Sequence, residues 1–346
     1  MTAREFVERM PGIAGSLLLV AVATAAALAG AQGLFYEAWG QPAGRMALFL
    51  APAAALVAAG LVVFRWPFSG AGLLVCSGVG AGVWWAVRQS ARGMIPPAEA
   101  WMMAAIMVAP LLLAAGLLAL DAGHLRSTPG RAMSGSWLVR HWRSALLVAA
   151  PALAASIVTA QQLPVVTARH DDGARGARVL GSGPDRLIWA PRGPGWNQPQ
   201  ADGELPSWTD LVRHQRSALD RCAYLSDDGT ALVAQATRVW RLPTVSEIVG
   251  ALSKGGEPAG CVWDGVSPHA ACRLAPDKET PLWVPDDAPI YYWSRQEASA
   301  GTAFAVNYTG GLSQLPKAVT GLNVGYRCVR RPVPGSMDVG ATGVMR

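Results

Sequence analysis

Trp240-Arg241-Leu242-Pro243-Thr244-Val245-Ser246-Glu247-Ile248 ends a strand and begins a helix within a few residues. Pro243 biases Leu242 toward an extended backbone, because its ring crowds the preceding residue. Thr244 then offers a hydroxyl to the orphan amides of a first helical turn. Glu247, at the third helical position, can return its carboxylate to the Thr244 amide and complete a capping box. The pattern predicts a helix that ends near Ser253-Lys254-Gly255.

Working outward, Ser207-Trp208-Thr209-Asp210 repeats the logic of a hydroxyl cap followed by a carboxylate. Trp208, Leu211, Val212, Leu219, Cys222 and Leu225 recur at helical spacing, so a helix is expected to about Leu225 with Cys222 on its buried face. Short apolar runs bounded by turn residues read as strands at 186–190, 260–263, 290–294, 303–308 and 325–330. The text from 163 to 199 is rich in Gly, Pro and Arg, with turn signals at Asp171-Asp172-Gly173 and Gly181-Ser182-Gly183-Pro184. It reads as a linker over 162–186, a folded α+β domain over 187–331 and a flexible tail over 332–346.

The first half is different in kind. The chain has 346 residues, and only 15% are charged, against about 25% in ordinary soluble domains. Five segments, 13–35, 46–64, 68–87, 101–120 and 144–160, carry no formal charge. A bilayer core needs roughly 20 apolar helical residues, because no water is there to satisfy backbone groups. Residues 1–161 are therefore predicted to form a five-span bundle in contact with the lipid bilayer. The first span is too long, and too closely followed by others, for a cleaved signal peptide.

Loop charges predict the orientation, since Lys and Arg collect on the cytoplasmic side. Arg4, Arg9, Arg65, Arg126, Arg131, Arg140 and Arg143 flank the spans on one side, and Arg45, Arg88 and Arg92 on the other. The amino terminus is thus expected inside, and an odd number of spans places the second half outside. The net charge of +6 belongs mainly to the bundle and flanks apolar runs instead of lining a folded face. Nucleic acid is accordingly not expected as a partner. Ionisable residues are absent from the five segments, which favours an anchor over an ion path. Gly70, Gly72, Gly78, Gly80 and Gly82 give the third span a small face suited to close helix packing.

In its two helices, Trp240-Arg241-Leu242-Pro243-Thr244 with Glu247, Tyr292-Trp293-Ser294, Ala305-Val306-Asn307-Tyr308 and Gly325-Tyr326-Arg327-Cys328-Val329-Arg330, the second half resembles a known group. It is similar to the bacterial lectin-like domain found at the end of collagen-like adhesins. That domain is related to the formylglycine-generating enzyme superfamily, with a C-type lectin-like fold. The resemblance covers about 187–331, and the five-span half resembles no family. It implies a bacterial cytoplasmic (inner) membrane protein whose domain is periplasmic or extracellular, with Trp240, Arg241, Leu242, Pro243, Thr244, Glu247, Trp293, Ser294, Arg327 and Cys328 as structural motif residues.

Four of the five cysteines, Cys222, Cys261, Cys272 and Cys328, fall in the domain and allow three pairings. The resemblance implies a bond from the helix to the last strand, Cys222 to Cys328, leaving Cys261 and Cys272 to close a short loop. Disulfides persist in an oxidising compartment, in agreement with the loop charges.

No catalytic residue, metal site or cofactor is expected. His170, His214 and His269 lack the spacing of a zinc site, and in Glu257-Pro258-Ala259, which is similar to the Glu-Pro-Asn calcium and sugar motif of C-type lectins, the alanine supplies no side-chain ligand oxygen. Formylglycine-generating enzymes oxidise a substrate cysteine through a reactive cysteine pair with copper, and the Arg-Gly-Gly-Ser-Trp stretch that such enzymes carry is absent from this sequence. Asp286 and Asp287 read as a solvated acidic pair. Trp283, Tyr291, Tyr292 and Arg295 offer aromatic and cationic contacts and form the candidate binding surface. The expected function is outward display of a non-catalytic domain that binds a glycan, peptide or protein. The alternatives are a formylglycine-type oxidase of exported proteins and a structural subunit of an envelope complex.

Overall fold

A computed structural model describes residues 3–91, 95–127, 137–181, 186–201, 203–209, 217–321 and 323–332. The chain divides into two compact units, Met1–Pro164 and Val165–Arg346. Residues 333–346 of the expected tail, Arg92 and Arg131 among the loop cations, and residues 210–216 of the first expected helix, with Leu211, Val212 and His214, lie outside the described residues.

The first unit consists of α1 (Ala3–Gly33), which passes into a π-helical turn at Leu34–Ala38, then α2 (Ala43–Arg65), α3 (Pro67–Ala91), α4 (Pro97–Ser127) and α5 (Trp137–Thr167). All five carry a stretch long and apolar enough to cross a membrane. Leu19, Val63, Leu74, Leu118 and Leu147 are buried between helices, while Leu48, Ile106, Leu113 and Leu153 remain exposed. Large apolar side chains outside the core fit a lipid-facing surface, where no water penalises them.

Only part of the small face of α3 is used for packing: Gly70, Gly78 and Gly82 meet neighbouring helices, whereas a β-carbon on Gly72 or Gly80 would meet nothing within 4 Å. A β-carbon on Gly70 would stand 2.4 Å from the Val63 backbone, and one on Gly82 would stand 2.6 Å from the Val108 side chain. One expectation needs correction. The apolar stretch of α4 reaches Gly123 and includes Asp121. Asp121 is buried, with Arg143 of α5 at 3.0 Å. An acid is tolerated there because a cation answers it.

The second unit is α+β. Strands β1 (Arg178–Leu180), β2 (Leu187–Trp189) and β11 (Val329–Arg330) form one antiparallel sheet in the order β1-β2-β11. A four-stranded sheet has the order β10-β7-β8-β9, from β7 (Tyr291–Glu297), β8 (Thr302–Asn307), β9 (Leu312–Pro316) and β10 (Val324–Gly325). Two hairpins, β3 (Ser253–Lys254) with β4 (Glu257–Pro258) and β5 (Cys261–Val262) with β6 (Ala271–Cys272), complete the strands. The helices α6 (Ala218–Ala223) and α7 (Val245–Gly250) are short.

Several boundaries differ from expectation, for local reasons. The segment expected as a linker carries β1, and Arg169 pairs with Asp277 at 3.0 Å, so it is part of the unit. The helix containing Cys222 starts at Ser217, whose hydroxyl caps the Asp220 amide at 3.0 Å, and Ser207 instead donates to the Thr209 carbonyl. The second helix stops at Gly250, and Ser253 and Lys254 enter a hairpin. Gly255 and Gly256, at φ 62° and 81°, supply the left-handed turn that a two-residue hairpin requires.

Candidate functional site

The motif residues are mostly scaffold. Thr244 Oγ1 accepts from the Glu247 amide at 3.2 Å, and Glu247 accepts from the Thr244 amide at 2.7 Å, so the capping box forms. Arg241 grips the same carboxylate with two hydrogen bonds, and its backbone pairs with Val329. Burial works to raise the Glu247 pKa, but Arg241 and the Thr244 amide outweigh it and hold the group below its ordinary value. Trp240, Leu242, Trp293 and Ser294 are buried, and the Ser294 carbonyl accepts from Trp208 Nε1 at 2.6 Å. Pro243 lends its carbonyl to the Arg295 amide.

Two disulfides are formed, Cys222–Cys328 across 106 residues and Cys261–Cys272 across 11. The first joins α6 to the segment before β11, and the second closes the β5-β6 hairpin. Cys76 of α3 is the free cysteine.

The aromatic surface expected from sequence does not assemble. Trp283 and Tyr292 are buried and stacked on each other, ring centroids 4.5 Å apart. Tyr292 belongs to the run Tyr292-Trp293-Ser294 of β7, which is buried on both faces of the strand. Tyr291 is half-buried on the neighbouring position and Arg295 is exposed farther along the strand, so the four do not form one patch.

A cleft of about 310 Å³ lies instead beyond the end of β2, lined by residues that include Arg192, Trp196, Asn197, Leu205, Asp287 and Pro289. One wall is the 190–199 loop. The Cys328 amide donates to the Gly195 carbonyl at 2.8 Å, and Asn197 exchanges hydrogen bonds with Tyr326. Asn197 has φ 50°, a left-handed conformation that asparagine tolerates better than most residues. The other wall precedes β7 and is tied across the cleft by the Arg192–Asp287 ion pair at 3.0 Å. Beneath these walls Tyr292 OH accepts from Trp196 Nε1 at 2.8 Å and Asn197 Nδ2 at 3.0 Å, and donates to the Leu282 carbonyl. Burial pushes its pKa up to about 12, so it stays a neutral phenol.

Arg327 sits at the centre. It is fully buried, donates to the Ala190 and Pro281 carbonyls, and places its guanidinium carbon 3.6 Å from the Trp196 ring centroid. Its Nη2 has no hydrogen-bond partner. Burial lowers its pKa to about 9. Lys278, also buried, donates to the Asp287 carbonyl, and burial together with the nearby Arg169 lowers its pKa to about 8. Buried Arg221 reaches the Gln198 carbonyl and Tyr326 OH at 3.3 Å each.

Sequence reasoning missed the cleft. Its signal was Pro191-Arg192-Gly193-Pro194-Gly195-Trp196-Asn197, where a tryptophan interrupts turn residues; a large aromatic in such a run marks a loop pinned to a core. Among the described residues no cluster of His, Cys, Asp and Glu could hold a metal ion. Five apolar helices followed by a sheet-rich unit with two disulfides define the chain as a multi-span membrane protein with a disulfide-bonded carboxyl-terminal unit. Comparison with family models, curated proteins and solved structures found no match.

Proposed function

We propose that the chain is anchored by its five spans in a bacterial cytoplasmic membrane, amino terminus inside, and displays its second unit outside as a non-catalytic, lectin-like binding domain. The observation that carries this reading is the pair of disulfides in the unit that follows an odd number of spans. Such bonds survive where thiols are not kept reduced. The loop charges favour the same side through an independent physical cause.

The lectin-like assignment draws on the Trp240 to Glu247 motif, the Gly325 to Arg330 motif and the helix-to-last-strand bond from Cys222 to Cys328. Binding, in preference to formylglycine-type oxidation, is favoured because all four cysteines of the unit are engaged in bonds, whereas that oxidation works through a reactive thiol pair. The partner class is a glycan, peptide or protein of the envelope. The test is affinity capture of envelope components by the detergent-solubilised full chain, with and without reductant. Retention that reductant abolishes supports the reading, and failure to retain any component under either condition contradicts it.

A further inference from the structure

Three buried cations, Arg221, Lys278 and Arg327, each contact a different wall residue of the cleft. Arg221 holds the carbonyl of its wall residue Gln198, Lys278 that of Asp287, and Arg327 lies on the ring of Trp196. Each is less than a tenth exposed, and none forms an ion pair with a carboxylate among the described residues. Carbonyl dipoles satisfy part of their N–H groups; the carboxylates of Asp277, Asp286 and Asp287 act on Lys278, and Asp172 acts on Arg327, without a direct ion pair. Arg327 Nη2 and Arg221 Nε stay without partners. Burying unpaired charge costs free energy, and perturbed groups of this kind concentrate at functional sites.

At the cleft mouth the charges are balanced only by contact. Arg192 is 53% exposed and Asp287 19%, so their ion pair is a solvent-screened one worth roughly 0–1 kcal/mol. An incoming anion can take the place of Asp287 on Arg192 and gains the potential of Arg221 and Arg327 behind the wall, while Lys278 stays beside Asp287 and compensates its charge. Pro199, Leu205, Ala288 and Pro289 make the neighbouring wall apolar, and the Gln198 side chain is exposed at the rim.

We propose that this cleft binds the carboxyl terminus of a peptide or protein. The carboxylate pairs with Arg192, the last side chain lies against Leu205 and Pro289, and the Gln198 amide meets the last peptide bond. A terminal residue with one carboxylate, one adjoining amide and an apolar side chain matches these three features together. An acidic sugar supplies the charge without the apolar group. This inference rests on the reading of the second unit as a binding domain and names its ligand class.

The test is calorimetric titration of the detergent-solubilised full chain with N-acetyl-alanyl-leucine, with the same compound as its carboxyl-terminal amide, and with glucuronate. The acid is expected to bind about tenfold more tightly than the amide, as loss of a charge-assisted contact predicts. Arg192→Gln should remove that difference, and Asp287→Asn should tighten the acid several-fold by deleting its competitor. Both side chains are at the surface of the cleft, and unchanged melting temperatures verify that the variants fold. Equal affinity for acid and amide, indifference to Arg192→Gln, glucuronate binding in place of the peptide acid, or no heat with any probe would overturn the inference. Envelope capture by the same preparation would leave the binding-domain reading standing in each of those cases.

Discussion

Arg241 and Glu247 are joined by two hydrogen bonds of 2.8 and 2.7 Å, and the same carboxylate caps the Thr244 amide at 2.7 Å. One side chain therefore starts α7 and fixes the strand segment that pairs with Val329. Glu247→Gln keeps the shape but loses the charge, and is expected to cost about 1–2 kcal/mol. A thermal or urea unfolding comparison of the full chain in detergent checks the value.

The same carboxylate sets an acid dependence. Its folded pKa lies below its ordinary value, so the native state holds fewer protons than the unfolded chain near pH 4. Its stabilisation is complete above the unfolded pKa of about 4.3 and is lost as pH falls through the folded value. Melting curves between pH 6 and pH 3 should fall less steeply for Glu247→Gln than for the parent chain.

Lys278 acts in the opposite range. Its folded pKa is about 8, against about 10.4 in an unfolded chain. Between those values the unfolded chain binds more protons, so this group's contribution to stability rises with pH. The gain in melting temperature of the parent chain relative to Lys278→Met, from pH 7.5 to pH 10, should be positive. A flat difference would show that the folded-state pKa of Lys278 is not lowered.

The disulfides should differ in weight. Chain-entropy reasoning assigns roughly 5 kcal/mol to Cys222–Cys328 and roughly 3 kcal/mol to Cys261–Cys272, from their separations of 106 and 11 residues. Paired Cys→Ala variants should therefore unfold in that order, with the Cys222→Ala and Cys328→Ala pair the less stable, as read by near-ultraviolet circular dichroism on heating.

Within the bundle, Asp121 is held by Arg143, and a β-carbon on Gly12 would stand 2.0 Å from its Oδ2. Arg143→Gln alone leaves a buried acid without its cation, whereas Asp121→Asn with Arg143→Gln removes both charges. The single variant should be the less stable of the two. Gly12→Ala should lower the melting temperature as well, by displacing Asp121.

What could be read in advance follows the range of the interaction involved. The capping box spans four residues and is written in Thr244 and Glu247, and the spans are set by uninterrupted apolar length. Both are local and both were legible. The Gly255-Gly256 hairpin was equally local, but a helix carried through Lys254 hid it. The cleft was not legible, because Arg192 and Asp287 meet across 95 residues. Trp283 and Tyr292 show the converse: aromatic side chains serve cores and recognition surfaces alike, and only their stacking at 4.5 Å decides between the two. Arg327 read as a motif residue, while its role as a buried charge under Trp196 depended on which carbonyls the fold brings to it.

Membrane sidedness and cysteine state together probe the central claim. Intact cells bearing a carboxyl-terminal tag would be treated with a membrane-impermeant protease, and the native chain alkylated before and after reduction. Cleavage of the tag from outside, with Cys222, Cys261, Cys272 and Cys328 protected until reductant is added, is the predicted result. A tag that stays protected until lysis, together with four sulfhydryls that alkylate without reduction, would contradict the account.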